Sequence, residues 1–162
     1  MTSNAATWAT FTEAEPDLAK TVEDRFGQHI HHVLATLRKD GSPRTSGLEV
    51  RFLNGEFWLG MMPGSLKARD LLRDPRFAIQ ANPGEGMTMG GGDVRISGRA
   101  QLVEDAATVS RYTDQVTVPD PNDFHLFRTE LAEVTRTYVE DDKYLVVQVW
   151  TPGEAVRVMK RA

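Results

Sequence analysis

The chain has 162 residues, a formal net charge of −4 and no cysteine. The length suits one domain, and the lack of cysteine excludes disulfides, thiol nucleophiles and cysteine metal ligands. The mild negative charge disfavours nucleic-acid binding, which needs a basic face. No apolar run reaches the roughly 20 residues that cross a bilayer, and the N-terminus lacks the pattern of a secretory signal. We therefore expect a cytoplasmic protein that partners neither nucleic acid nor membrane.

The first segment predicts an arm followed by a short helix. We expect a single domain over residues 1–162, in which residues 1–11 form a loose N-terminal arm. Pro16 suits the first turn of a helix, where its missing N–H costs nothing. Apolar residues then recur at spacings of four as far as Phe26, and Gly27 ends the pattern. This spacing predicts an amphipathic helix.

A run of strands comes next, separated by strong turn signals. The pairs Asp40-Gly41 and Asn54-Gly55 tolerate positive φ and predict two hairpin turns. Alternating apolar residues on either side predict antiparallel strands. The predicted strands are 32–38, 44–53 and 56–61.

The remaining chain predicts two helices and further strands. Ser65 is a good N-cap for a helix that ends at Asp74-Pro75, and Asp105 caps a second helix reaching about residue 115. Periodicity does not decide whether 124–138 is a bent strand or a helix. The other predicted strands are 77–81, 93–103, 144–150 and 155–159. So many strands with a few short helices predict a mainly β fold, a closed antiparallel β-barrel.

The residues Gly64 to Lys67 are a candidate anion site. A helix N-terminus offers unpaired N–H groups and the positive end of the helix dipole. Ser65 adds a hydroxyl and Lys67 an ammonium, while Arg69 or Arg73 is a candidate for a further contact. The alternative is that Ser65 only caps a helix and the basic side chains are solvated.

The segment 34–79, LATLRKDGSPRTSGLEVRFLNGEFWLGMMPGSLKARDLLRDPRFAI, resembles the pyridoxamine 5′-phosphate oxidase-like superfamily, and DVRISGRAQLVED at 93–105 resembles its next long strand. The resemblance implies an FMN-binding-protein-like split β-barrel that forms a homodimer with two cofactors. That cofactor is FMN or, in many actinobacterial members, the deazaflavin coenzyme F-420. Abundant Arg, Ala, Gly and Asp favour an actinobacterial source.

Carried over position by position, the resemblance assigns Ser65 and Lys67 to phosphate binding and places Arg51 near the flavin ring. The other cofactor-binding residues that it implies are Thr45, Ser46, Gly47, Leu48, Gly60, Met61, Asp93 and Trp150. It assigns no catalytic residue and no metal ligand. Ser46 stands where the true oxidase has a phosphate-binding arginine. Because the residues that hold pyridoxal phosphate have no counterpart after Trp150, we do not expect vitamin B6 phosphate as substrate.

The leading hypothesis is therefore an FMN- or F-420-dependent oxidoreductase that moves a hydride to or from a small organic substrate. One alternative is a non-catalytic flavin-binding protein on the same fold. Another is a haem-binding or haem-degrading relative, whose axial ligand would be His29, His31, His32 or His125.

Overall fold

The computed structural model describes residues 5–162, and this part of the chain forms nine strands and four α-helices. The helices are α1 (Trp8–Ala14), α2 (Pro16–Gly27), α3 (Leu66–Arg73) and α4 (Ala106–Thr113). The strands are β1 (His32–Leu37), β2 (Pro43–Leu48), β3 (Val50–Leu53), β4 (Glu56–Met61), β5 (Arg76–Gln80), β6 (Asp93–Leu102), β7 (His125–Glu140), β8 (Tyr144–Trp150) and β9 (Arg157–Arg161). The predicted mainly β class is confirmed.

The barrel closes through one bent stretch of chain. The strands pair antiparallel in the order β2-β1-β5-β6-β7-β4-β3, with β8 and β9 added beside β7. The two ends of this path, β2 and β3, are separated in sequence only by Glu49. Because β2 pairs with β1 and β3 with β4, the bent stretch joins both ends of the path. This is the geometry of a split barrel.

The single strand expected over 44–53 is thus two strands. Leu48 and Val50 on either side of the bend are both buried, so the alternating pattern continues through it. Only the pairing partner changes at Glu49, and a pairing partner is not visible in local sequence.

The segment that periodicity left undecided is the long strand β7. It pairs with β6 over most of its length, with β4 near its start and with β8 near its end. The β6–β7 register shifts between Ser97 and Gly98. A Cβ at Gly98 would lie 1.9 Å from the carbonyl oxygen of Glu130, so the close approach at this bulge requires glycine.

The expected loose arm is wrong for the part of it that the structure describes. Thr7 caps α1 through a reciprocal capping box with Thr10. Trp8 and Phe11 are buried in the main core, and Phe11 packs against Trp150 with ring centroids 4.7 Å apart. Burial of two aromatic side chains holds this helix in place. Residues 1–4 of the predicted arm lie outside the described residues.

The barrel interior forms the main core, lined by side chains such as Leu34, Leu59 and Ile96, all fully buried. A smaller cluster around Trp58, Tyr112 and Leu126 lies under α4. In residues 5–162, no helix is long and apolar enough to span a bilayer.

Candidate functional site

The N-terminus of α3 is built as its sequence predicts. Gly64 takes a positive φ of 75°, which turns the chain out of β4 and into the helix. The Ser65 hydroxyl accepts a 3.3 Å hydrogen bond from the Ala68 N–H. Helix geometry leaves the N–H groups of Leu66 and Lys67 without acceptors inside the helix. These groups can receive an anion.

Lys67 lies against β2. Its ammonium donates a 2.7 Å hydrogen bond to the carbonyl oxygen of Gly47. One edge of β2 pairs with β1. In residues 5–162 no strand covers the other edge, where the Gly47 carbonyl lies, so this carbonyl is open to a side chain. An ammonium has three N–H donors, and two remain after this bond. We call Gly47, Ser65 and Lys67 the α3 seat.

Burial lowers the pKa of the Lys67 ammonium from its ordinary value. A half-buried ammonium gains more from an anionic partner than a fully solvated one, because less water screens the interaction. The α3 seat is therefore suited to an oxyanion such as a phosphate.

The side chains of β2 alternate between the two faces of the strand. Thr45 and Gly47 are exposed, whereas Leu48 is buried in the core. The hydroxyl of Ser46 is buried without a hydrogen-bond partner among the described residues. A buried hydroxyl without a partner is costly, and this one lies one residue from the carbonyl that Lys67 contacts.

Arg51 lies beyond the bend, exposed on β3. It donates to the Val50 carbonyl at 3.0 Å and lies 3.4 Å from a Glu49 carboxylate oxygen. The side chain lines a cleft of 910 Å³, together with Phe26 and His31 among others. The stretch from Gly47 to Arg51 therefore connects the α3 seat to this large cleft.

Two predicted residues on β4 have packing roles. A Cβ at Gly60 would lie 2.5 Å from the ring of Phe124, so the absence of a side chain allows this ring to close against the strand. Met61 is buried in the main core. They precede the turn into α3, and nothing in the geometry requires either to contact a ligand.

Asp93 and Trp150 are not brought to the α3 seat. Asp93 begins β6 and lines a separate 160 Å³ cavity beside Arg95 and Thr135; its Oδ1 is buried without a hydrogen-bond partner among the described residues. Trp150 is only 1% exposed and packs in the core. A side chain so fully covered has no surface left to contact a cofactor. In this structure Trp150 packs in the core, and its predicted contact with a cofactor is not formed.

Asp70 is a residue of this region that the sequence did not single out. Its side chain is 4% exposed and accepts hydrogen bonds from Thr36, Arg44 and Arg73. Burial alone would raise the pKa of this carboxyl, but the three hydrogen bonds outweigh burial and hold the pKa below its ordinary value. From the sequence alone, an aspartate on a short helix is expected to be solvated. Its hydrogen-bond partners become visible only in the folded structure.

A basic groove adjoins the α3 seat. It encloses 620 Å³, and five of its eight lining residues are basic. They are Arg38, Lys39, Asp40, Arg44, Leu66, Arg69, Asp70 and Arg73. Arg44 and Arg73 both form salt bridges with Asp70. The guanidinium of Arg73, a candidate for a ligand contact, is therefore already bound within the protein.

The four histidines are spread over different surroundings. His32 is buried, and its Nδ1 accepts from the Asn82 N–H at 3.0 Å. His29 and His31 are exposed at the mouth of the large cleft, and His125 lies on β7. Within residues 5–162, no three His, Asp or Glu side chains converge as metal ligands do.

Comparison with known families identifies the chain. Residues 18–138 match the family model described as pyridoxamine 5′-phosphate oxidase. The chain belongs to the pyridoxamine 5′-phosphate oxidase family. Proteins of this family often bind FMN, and the superfamily inferred from the resemblance is confirmed.

Solved structures share the fold of this pyridoxamine 5′-phosphate oxidase family member. PhzG from Burkholderia lata, in complex with tetrahydrophenazine-1-carboxylic acid, is 14% identical and has a TM-score of 0.67, covering 99% of this chain and 94% of its own. A pyridoxamine 5′-phosphate oxidase-related, FMN-binding protein from Nostoc punctiforme is 16% identical with a TM-score of 0.60, covering 91% and 96%.

General stress protein 26 from Bacillus anthracis is 14% identical with a TM-score of 0.56, covering 74% of this chain and 92% of its own. No curated protein matches the chain significantly. At these identities the likeness shows the fold alone, so residue roles must come from the chain's own geometry.

Proposed function

We propose that this chain is an oxidoreductase that uses FMN or F-420 to transfer a hydride to or from a small organic substrate. The observation that carries the proposal is the α3 seat, where the Ser65 hydroxyl, the Lys67 ammonium and two free N–H groups meet beside Gly47. This donor set matches the oxygens of a phosphate monoester.

The residues present suit such a cofactor. The unpartnered hydroxyl of Ser46 supplies a further hydrogen-bonding group next to the α3 seat. The cofactor itself supplies hydride transfer. The chain binds its phosphate at Ser65 and Lys67 and presents the exposed residues of β2 along it. Arg51 then places a positive charge in the large cleft, where an organic substrate has room.

The choice between FMN and F-420 depends on the basic groove. F-420 carries an acidic tail, and the groove beside Leu66 offers cationic side chains from Arg38, Lys39 and Arg69 that Asp70 does not engage. This arrangement supports F-420 as the second candidate cofactor. Replacing these three residues by alanine is expected to weaken F-420 binding more than FMN binding. Equal losses would leave FMN as the better assignment.

We further propose a homodimer. The outward face of β1 and β5 carries Val33, which is 44% exposed, beside the small residues Ala35 and Ala78. Such an exposed, weakly polar sheet face suits another protein surface. Light scattering of the purified protein tests this proposal, and a monomer at micromolar concentration would contradict it.

The decisive test of the function is titration of the purified protein with FMN and with F-420, followed by fluorescence. We expect micromolar affinity or better for one of them. No binding of either would refute the proposal. Oxidation of the reduced cofactor by quinones and enones then separates an enzyme from a non-catalytic flavin-binding protein, for which the rate would equal that of the protein-free control.

A further inference from the structure

The carboxylate of Asp70 is the most deeply buried charge around the α3 seat. It accepts hydrogen bonds from Thr36 Oγ1 at 2.8 Å, Arg44 Nε at 2.6 Å and Arg73 Nη2 at 3.0 Å. The donors come from three elements, namely β1, β2 and α3. A buried carboxylate is costly unless it is paired and hydrogen-bonded. Asp70 therefore fixes where these three elements meet.

Asp70 and Lys67 attach the same helix to the same strand. They are three residues apart on α3 and thus neighbours on its surface. Lys67 contacts Gly47, and Asp70 contacts Arg44, which lies three residues earlier on β2. The bond at Lys67 is partly open to solvent, whereas the bond at Asp70 is enclosed. Of the two attachments, the one at Asp70 is the better shielded from water.

We propose that Asp70 is a positioning residue for phosphate binding, which holds α3 against β2 so that Ser65 and Lys67 face one ligand oxygen set. This inference rests on the proposed function. Asp70 does not touch the phosphate. It acts through the placement of the helix, because donors displaced by a fraction of an ångström lose much of a charge-assisted hydrogen bond.

The sign of the effect distinguishes positioning from simple electrostatics. Asp70 is a negative charge close to a site for an anion. If it acted only through its charge, Asp70→Asn would make the site more positive, and FMN would bind more tightly. If Asp70 positions the helix, the same change weakens FMN binding, since the amide cannot accept all three donors as the carboxylate does.

The experiment compares FMN with riboflavin, which lacks the phosphate, by fluorescence titration. We expect Asp70→Asn to weaken FMN binding roughly tenfold and to leave riboflavin binding within about twofold. Thr36→Val removes one of the three donors and keeps the charge. It should weaken FMN binding about threefold, and it tests the inference if Asp70→Asn does not fold. Asp74→Asn, at the C-terminal cap of α3 where Asp74 pairs with Arg76, is the matched control and should bind FMN as the wild type does.

Unchanged or tighter FMN binding by a folded Asp70→Asn protein would overturn the inference. So would an equal loss for riboflavin, because a general structural defect would weaken both ligands alike. Failure of the wild-type protein to bind FMN or F-420 would instead overturn the proposed function, and the inference with it.

Discussion

The ammonium of Lys67 donates to the main-chain oxygen of Gly47 across 2.7 Å, which joins the first turn of α3 to the uncovered edge of β2. A contact between a side chain and a main-chain group of a neighbouring element leaves the ammonium held but not neutralised. Its positive charge remains available to a ligand anion.

Replacing Lys67 by methionine should weaken FMN binding by roughly 10- to 100-fold, the range expected for loss of one hydrogen bond between charged groups. Methionine keeps the length of the side chain and removes the charge. Riboflavin affinity should not change, and fluorescence titration measures both. Lys20→Met is the matched control, because Lys20 is exposed on α2 and pairs with Asp24. Equal FMN affinity in Lys67→Met and wild type would contradict the α3 seat.

Trp150→Phe should lower the free energy of unfolding by roughly 1–3 kcal/mol, since it removes buried apolar surface and leaves a gap beside Phe11. Urea denaturation measures the change. FMN affinity of the folded variant should equal that of wild type. A large loss of FMN affinity without loss of stability would return Trp150 to the cofactor site.

Gly98→Ala should destabilise the protein by roughly 2–4 kcal/mol, because the new Cβ would lie 1.9 Å from the Glu130 carbonyl oxygen and the β6–β7 bulge would have to shift. Thermal unfolding measures the change. Gly27→Ala is the control, since a Cβ at Gly27 meets nothing within 4 Å. If both variants melt at the wild-type temperature, the bulge is more adaptable than this contact implies.

Stability should fall as the pH drops from about 7 to 5, in part because of His32. Burial lowers the pKa of its imidazole below the ordinary 6.5, and its Nδ1 accepts from the Asn82 N–H. The unfolded chain protonates His32 first, so it binds more protons than the folded chain below pH 6.5, and acid destabilises the fold. His32→Asn should flatten this slope in urea denaturation, whereas His29→Asn should not. Parallel slopes for all three proteins would contradict a buried neutral His32.

Local signals in the sequence were enough to predict most elements. The N-caps Ser65 and Asp105 and the two hairpin turns can each be recognised from the residue types at those positions. The structure confirms these caps and turns. The capping box of Thr7 and Thr10 is also a local feature of the chain. Because its N3 residue is Thr10 instead of the usual Glu or Gln, it does not stand out in the sequence.

Other features depend on contacts distant in sequence. The bend at Glu49 shows no break in hydrophobic alternation, since only the change of partner from β1 to β4 creates it. Asp70 is buried only because Thr36 and Arg44 arrive from other strands. Trp150 is a core residue because Phe11 of α1 packs against it. None of these three outcomes follows from periodicity, because each depends on which elements pack together.

The bent stretch of β2 and β3 sets an upper limit on the distance between the two ends of the site. From Gly47 to Arg51 is four residues, or at most about 13 Å of extended chain. A ligand held by an anionic group at Lys67 therefore needs a body no longer than this to reach the cleft at Arg51 along the strand. Because the two ends share one short run of backbone, any movement of the bend at Glu49 would change the spacing between them.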